Sequence, residues 1–143
     1  ATGLFNSLTD QQLRKAWIDR ERIDLVAGPG QDGQAPRPEG LPGREMSAAQ
    51  KAQLLELIEV RLGILNADDL APKIAAAKAD LDDTFFAWFG PRPEEGAAYW
   101  RVTGPRVLLE FSPQSRGGDP SNHLHNIYRD PTNEYGAAWI SAE

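Results

Sequence analysis

AYWRVTGPRVLLEFS, residues 98–112, reads as two aromatic and branched runs joined at Gly104 and Pro105. Tyr, Trp, Val, Leu and Phe at this density suit a pleated backbone, and a Gly-Pro pair suits a chain reversal, so the stretch predicts a β-hairpin. Two runs of the same kind flank it, TFFAWFG at 84–90 and HLHNIYR at 123–129. Together they predict a sheet of three or four antiparallel strands in the second half of the chain.

Upstream of residue 84 the apolar period is helical. Leu8, Thr9 and Gln12 have the pattern of a capping box with an apolar residue before the cap, and Leu13, Ala16 and Trp17 give the short helix that follows an apolar stripe. Ser47 and Gln50 repeat the box ahead of AAQKAQLLELIEVRLG, where Leu54, Leu57, Ile58, Arg61 and Leu62 share one side and Gly63 stops the run. Asn66 and Asp69 open a third helix in which Pro72 comes early enough to spare an interior hydrogen bond. Its face is Leu70, Ile74, Ala77 and Leu81. The spacing predicts helices over 48–62 and 67–82, and an α+β domain with two or three helices packed against one face of the sheet.

At 143 residues the chain suits a single domain spanning 1–143. Its one long connection, the Gly/Pro-rich loop at 27–43, lacks both the phosphate-loop and the dinucleotide patterns, and its length makes it a candidate lid or partner-binding segment. A net charge of −6 without a basic patch argues against nucleic acid and anionic membranes as partners. No apolar run approaches the ~20 residues of a membrane span. The absence of cysteine removes thiolate ligands, disulfides and cysteine nucleophiles and leaves the compartment open. A first residue of Ala rather than Met fits a removed leader or a processed precursor.

NHLHNIYRDPTNEYG, residues 122–136, holds both histidines. In a strand His123 and His125 point to one side, so their imidazoles can converge on a metal ion; equally, they can be hydrogen-bonded partners beneath a loop. With cysteine absent, a third ligand has to be oxygen. Glu110, inside the apolar VLLEF run, is the candidate, because a carboxylate buried there needs a metal, a hydrogen bond or an ion pair with Arg101 or Arg129. Asp130 and Glu134 are candidates for moving protons, Arg129 for clamping a carboxylate or phosphate, and Tyr135 for a hydroxyl handle in an aromatic wall with Tyr128, Tyr99 and Trp100. The bland readings are turn formation by Asp130, Pro131 and Asn133, and charge neutralisation of Asp130 and Glu134 by Arg129. A serine triad through Ser112 or Ser121 has no nucleophile-turn pattern behind it.

At TFFAWFG, YWRVTGP, LLEFSPQ and above all HLHNIYRDPTNEYG, the chain resembles the bacterial family of uncharacterised proteins catalogued as domain of unknown function 3500. The resemblance runs from the first helix through Tyr135 and Gly136. It implies a chain like the carboxy-terminal half of longer members, whose other half carries an adjacent histidine pair, and an exported or periplasmic location. Glu134 stands where the family more often has aspartate, and AAWISAE lacks the late histidine of many relatives. Resemblance strengthens the choice of residues and implies no reaction.

Three expectations follow. The first is a metal-dependent enzyme, a hydrolase using His123, His125 and Glu110 to hold zinc, iron or copper, with an oxygen-using iron or copper oxidoreductase as its sibling. The second is a noncatalytic metal or small-ligand binding subunit. The third is a structural half of a larger assembly, and surplus aromatic surface predicts a homo-oligomer or a partner chain.

Overall fold

The computed structural model describes residues 1–115 and 117–140, except for the side chains of Tyr135, Ala138 and Trp139. Four helices lead into the sheet. α1 (Thr2–Asn6) and α2 (Asp10–Ala16) precede the irregular segment, and α3 (Ala48–Leu62) and α4 (Ala67–Ala79) follow it. Reciprocal capping boxes start α2 at Thr9 and α3 at Ser47, and the Asn66 side chain accepts from Asp69 to start α4. α4 ends before the predicted residue 82, because the Asp80 N–H bonds back to the Ala76 and Ala77 carbonyls and the chain tightens into a 3-10 turn at Leu81–Asp83.

The sheet is larger than the sequence predicts. β3 (Phe85–Phe89), β4 (Tyr99–Thr103), β5 (Leu108–Pro113) and β6 (Leu124–Arg129) form the expected antiparallel meander. Two short strands join β3. β1 (Trp17–Asp19) runs parallel to it with Trp17 opposite Trp88, and β2 (Leu41–Pro42) runs antiparallel with Leu41 opposite Phe86. The result is an open, mixed six-stranded sheet, ordered β1-β3-β4-β5-β6 with β2 also on β3. Trp17 therefore leaves the helix it was assigned to, and the predicted loop at 27–43 ends at Gly40. Strands of two and three residues are too short to show alternation, so tertiary pairing alone decides them.

Strand alternation then divides the side chains. Phe86, Trp88, Trp100, Val102 and Leu109 face the helices and pack with Leu4, Phe5, Leu54, Ile58 and Leu62 in the main core. Arg61 lays its guanidinium over Trp100 and Phe111, at 5.0 and 5.5 Å from the ring centroids. The other face carries Ala87, Phe89 and Tyr99 with Ile23 in a small second cluster, and beside it a row of polar groups. This face is covered by residues 20–40, an irregular strap whose far end is pinned where the backbone passes close to β3. At Gly40 (φ +101°) an added Cβ would lie 2.2 Å from the Phe86 carbonyl oxygen.

Candidate functional site

The polar row begins at Glu110, which is 1% exposed. One carboxylate oxygen accepts from the Val26 N–H at 2.9 Å and from the Tyr99 hydroxyl; the other accepts from the Ala27 N–H at 2.7 Å. Tyr99 in turn accepts from Arg101 at 3.0 Å, and Arg101, 2% exposed, reaches Glu39 at the end of the strap. The compensation demanded by a carboxylate in an apolar run thus comes from the backbone of the strap and from a phenol. Burial first, and then the Glu110 carboxylate, push the Tyr99 hydroxyl far above the ordinary phenol range. The Arg101 Nε and the hydroxyls of Thr103 and Ser112 are buried on this face without hydrogen-bond partners among the described residues.

His125 lies opposite Ser112 on β6, one step along the same face from Ile127, which is the residue opposite Glu110. Glu110 and His125 are therefore diagonal neighbours rather than direct ones. His123 sits at the entry to β6, and its carbonyl accepts from the Gln114 N–H at 2.8 Å. The two rings converge as strand alternation predicts and are hydrogen-bonded to each other, the other arrangement the sequence allows: their Nε2 atoms are 2.7 Å apart, with ring centroids at 4.7 Å. Among the described residues no group of three or more His, Cys, Asp or Glu side chains is placed to hold one ion together.

The far end of β6 holds a separate constellation. Lys73 on α4 donates to Asp130 at 2.6 Å, and the other Asp130 oxygen caps the turn by accepting from the Thr132 N–H and hydroxyl at 3.0 and 2.7 Å. Burial raises the Asp130 pKa, but the Lys73 and Thr132 hydrogen bonds outweigh it and leave the carboxyl below its ordinary range. Arg129 pairs with Glu134 through Nε at 2.7 Å and also donates to the strap carbonyls of Ala27 and Gln34, while Glu134 accepts from the Gly33 N–H at 2.7 Å. Lys73, Tyr128, Arg129, Asp130, Asn133 and Glu134 line a cavity of about 350 Å³ here. Asp130 follows His125 by five residues, about 16 Å of extended chain, so this cavity and the histidine pair occupy opposite ends of one strand.

A family model described as Protein of unknown function (DUF3500) matches residues 1–137, essentially the whole chain. The chain belongs to that family. No curated protein and no solved structure matches it.

The DUF3500 match therefore extends over the helices and the strap as well as over the histidine-bearing motif. Within that motif the structure separates residues that the sequence groups together. His123 and His125 form one unit, and Arg129, Asp130 and Glu134 form another. Glu110 is held by the strap, and the Tyr135 side chain lies outside the described residues. The proposed aromatic wall is split by alternation, with Tyr99 beneath the strap and Trp100 among the helices. Lys73 is the residue sequence reasoning missed. One lysine in an alanine-rich helix carries no local signal; only the packing of α4 against the turn after β6 makes it the partner of Asp130.

Proposed function

We infer that this protein is metal-dependent, with His123 and His125 holding one divalent transition-metal ion, either zinc, iron or copper. The 2.7 Å approach of the two Nε2 atoms carries this reading. With metal–nitrogen bonds of about 2.0–2.1 Å, two imidazoles sit about 3.3 Å apart on a tetrahedral ion and about 2.9 Å apart as neighbours on an octahedral one. Side-chain torsions that open the pair by a few tenths of an ångström are enough to admit either. When bound, the ion would supply Lewis acidity at positions the protein leaves to solvent, substrate or a partner, which suits a hydrolase if it is zinc and oxygen chemistry if it is iron or copper. Glu110 is reserved for the strap in this reading, and its part is to hold the covering segment beside the histidines.

β6 is an edge strand with Leu124 half exposed between the two histidines, so a second copy or a separate chain at that edge is the natural donor of further ligands. An exported or periplasmic setting belongs to the same proposal. The experiment is metal analysis and calorimetric titration of untagged protein with Zn(II), Fe(II) and Cu(II) at neutral pH, with native mass measured alongside. About one ion per chain is expected, with affinity lowered at least about 100-fold in His123→Ala and in His125→Ala. Unchanged uptake in the double alanine variant, or no uptake by the unaltered protein, overturns the proposal.

A further inference from the structure

The cavity between α4 and the turn after β6 is lined by charged residues, yet its carboxylates are fully engaged. Asp130 has one oxygen on Lys73 and the other on Thr132; Glu134 has one on Arg129 and the other on the Gly33 N–H. Arg129 gives Nε to Glu134 and Nη1 to two strap carbonyls, while its Nη2 is buried against the Glu134 carboxylate as an ion pair without a hydrogen bond of its own. What remains is donor capacity. The Lys73 ammonium has three N–H groups, gives one to Asp130 and turns a second toward the Tyr128 oxygen, which leaves the third. The Tyr128 hydroxyl is buried with its oxygen facing the Lys73 ammonium, and its own O–H finds no acceptor among the described residues. A buried O–H donor without an acceptor, beside a cation with a free N–H, leaves room for one acceptor to satisfy both.

Beyond these donors the lining is mostly apolar, with the charged side chains of Asp69 and Arg106 also part of it. A second cavity of about 250 Å³ shares Lys73, Asp130 and Asn133 with the first and continues between Leu62, Pro72 and Val107. Their combined size falls in the range of small-molecule sites, which are mostly apolar with a few placed polar groups.

We propose that this paired cavity binds a small organic acid, with its carboxylate accepting from Lys73 and Tyr128 and its apolar body lying toward Leu62, Pro72 and Val107. A charge-assisted hydrogen bond to Lys73 fixes the head group, and the ammonium remains balanced because Asp130 stays beside it. The site is independent of the histidines, which lie at the other end of β6, so it stands or falls apart from the metal proposal.

Benzoate, 4-methylpentanoate and the neutral isostere benzamide are the probes, titrated into metal-free protein and followed by backbone amide NMR. A nine-atom acid is expected to bind with Kd of about 1 mM. Shifts should gather at residues 72–76 and 128–134 and leave His123 and His125 unmoved. Benzamide should bind at least about 10-fold more weakly, because it lacks the charge that Lys73 recognises. Lys73→Met should abolish saturable benzoate binding. Tyr128→Phe, which keeps the ring and its packing, should weaken it about 5-fold, the size of one neutral hydrogen bond. Absence of saturable binding by both acids at about ten times that Kd, equal binding of benzamide, or unchanged affinity in Tyr128→Phe and Lys73→Met overturns the proposal.

Discussion

Arg101 stands directly opposite Glu110 in the β4–β5 ladder, and the two are joined through the Tyr99 hydroxyl rather than by an ion pair of their own. Each charge finds its main partner in the strap instead: Arg101 in the Glu39 carboxylate, Glu110 in the backbone N–H groups of Val26 and Ala27. The strap is thus fastened to the sheet by buried charge and backbone polarity, with Ile23 as its apolar contact in the second cluster. Its attachment depends on chemistry that single substitutions can remove.

Replacing Glu110 with Gln removes the charge and leaves one acceptor for two strap N–H groups, so stability to urea should fall by about 2–3 kcal/mol. Glu110→Ala leaves Arg101 without its relay and both N–H groups buried unpaired, and should cost about 3–5 kcal/mol. In both variants limited proteolysis should cut first between residues 28 and 38, with secondary structure in the far-ultraviolet retained at low temperature. Unchanged midpoints would show that the strap does not depend on this carboxylate.

Tyr99 sets an alkaline limit. Its phenol pKa is raised above the ordinary 10.0 by burial and by Glu110, so the folded state keeps the proton that the unfolded chain releases. Stability from this group is fully present below about pH 10 and is lost as pH climbs beyond it. In wild type, ultraviolet titration should show the Tyr99 phenolate appearing together with loss of structure. Tyr99→Phe should remove that slope of stability against pH, and an unaltered slope would refute the assignment.

Asp130 acts at the other end of the scale. Its folded pKa lies below the ordinary 3.8, with Lys73 and Thr132 overcoming burial. The stabilisation is therefore present above about pH 4 and is lost as pH falls through that value toward the folded pKa. Asp130→Asn should flatten the acid limb of the stability profile below about pH 4, and also the alkaline limb above about pH 10.5, where Lys73, raised chiefly by its hydrogen bond to Asp130, would lose the same interaction.

Gly43 tests the packing beneath the strap's exit. A Cβ there would lie 1.8 Å from the Leu81 carbonyl oxygen, a backbone atom that cannot yield without moving the 3-10 turn at Leu81–Asp83. Gly43→Ala should destabilise by about 3 kcal/mol or more, well above the usual cost of a surface substitution. A midpoint within error of wild type would mean that the turn relocates freely.

The helices and the central meander were legible because their signals are local. Thr9 with Gln12, Ser47 with Gln50, and Asn66 each mark a helix start, and the face of Leu54, Leu57, Ile58 and Leu62 is buried as its spacing requires. The pairing of His123 with His125 followed from the two-residue repeat. Glu110 was legible in kind only. An acid within VLLEF announces that compensation exists, but backbone N–H donors at Val26 and Ala27 have no side-chain signature. Nor do Lys73, which depends on where α4 comes to rest, or β1 and β2, whose pairing with β3 comes from distant chain.

The parallel pairing of Trp17 with Trp88 has a consequence for how the protein is made. At ribosomal speeds of about 5–20 residues per second, the 71 residues from 17 to 88 take roughly 4 to 14 s to synthesise. An equal interval separates the emergence of Trp17 from that of Trp88, and during it Phe5 and Trp17, which later pack edge to face at 5.6 Å and close over Trp88, lack the surface they are shaped to meet. Local hairpins of β3, β4 and β5 need no such wait, because their partners are made next to one another. The nascent chain thus carries unpartnered aromatic surface at Phe5 and Trp17 until the strand that receives it has been synthesised.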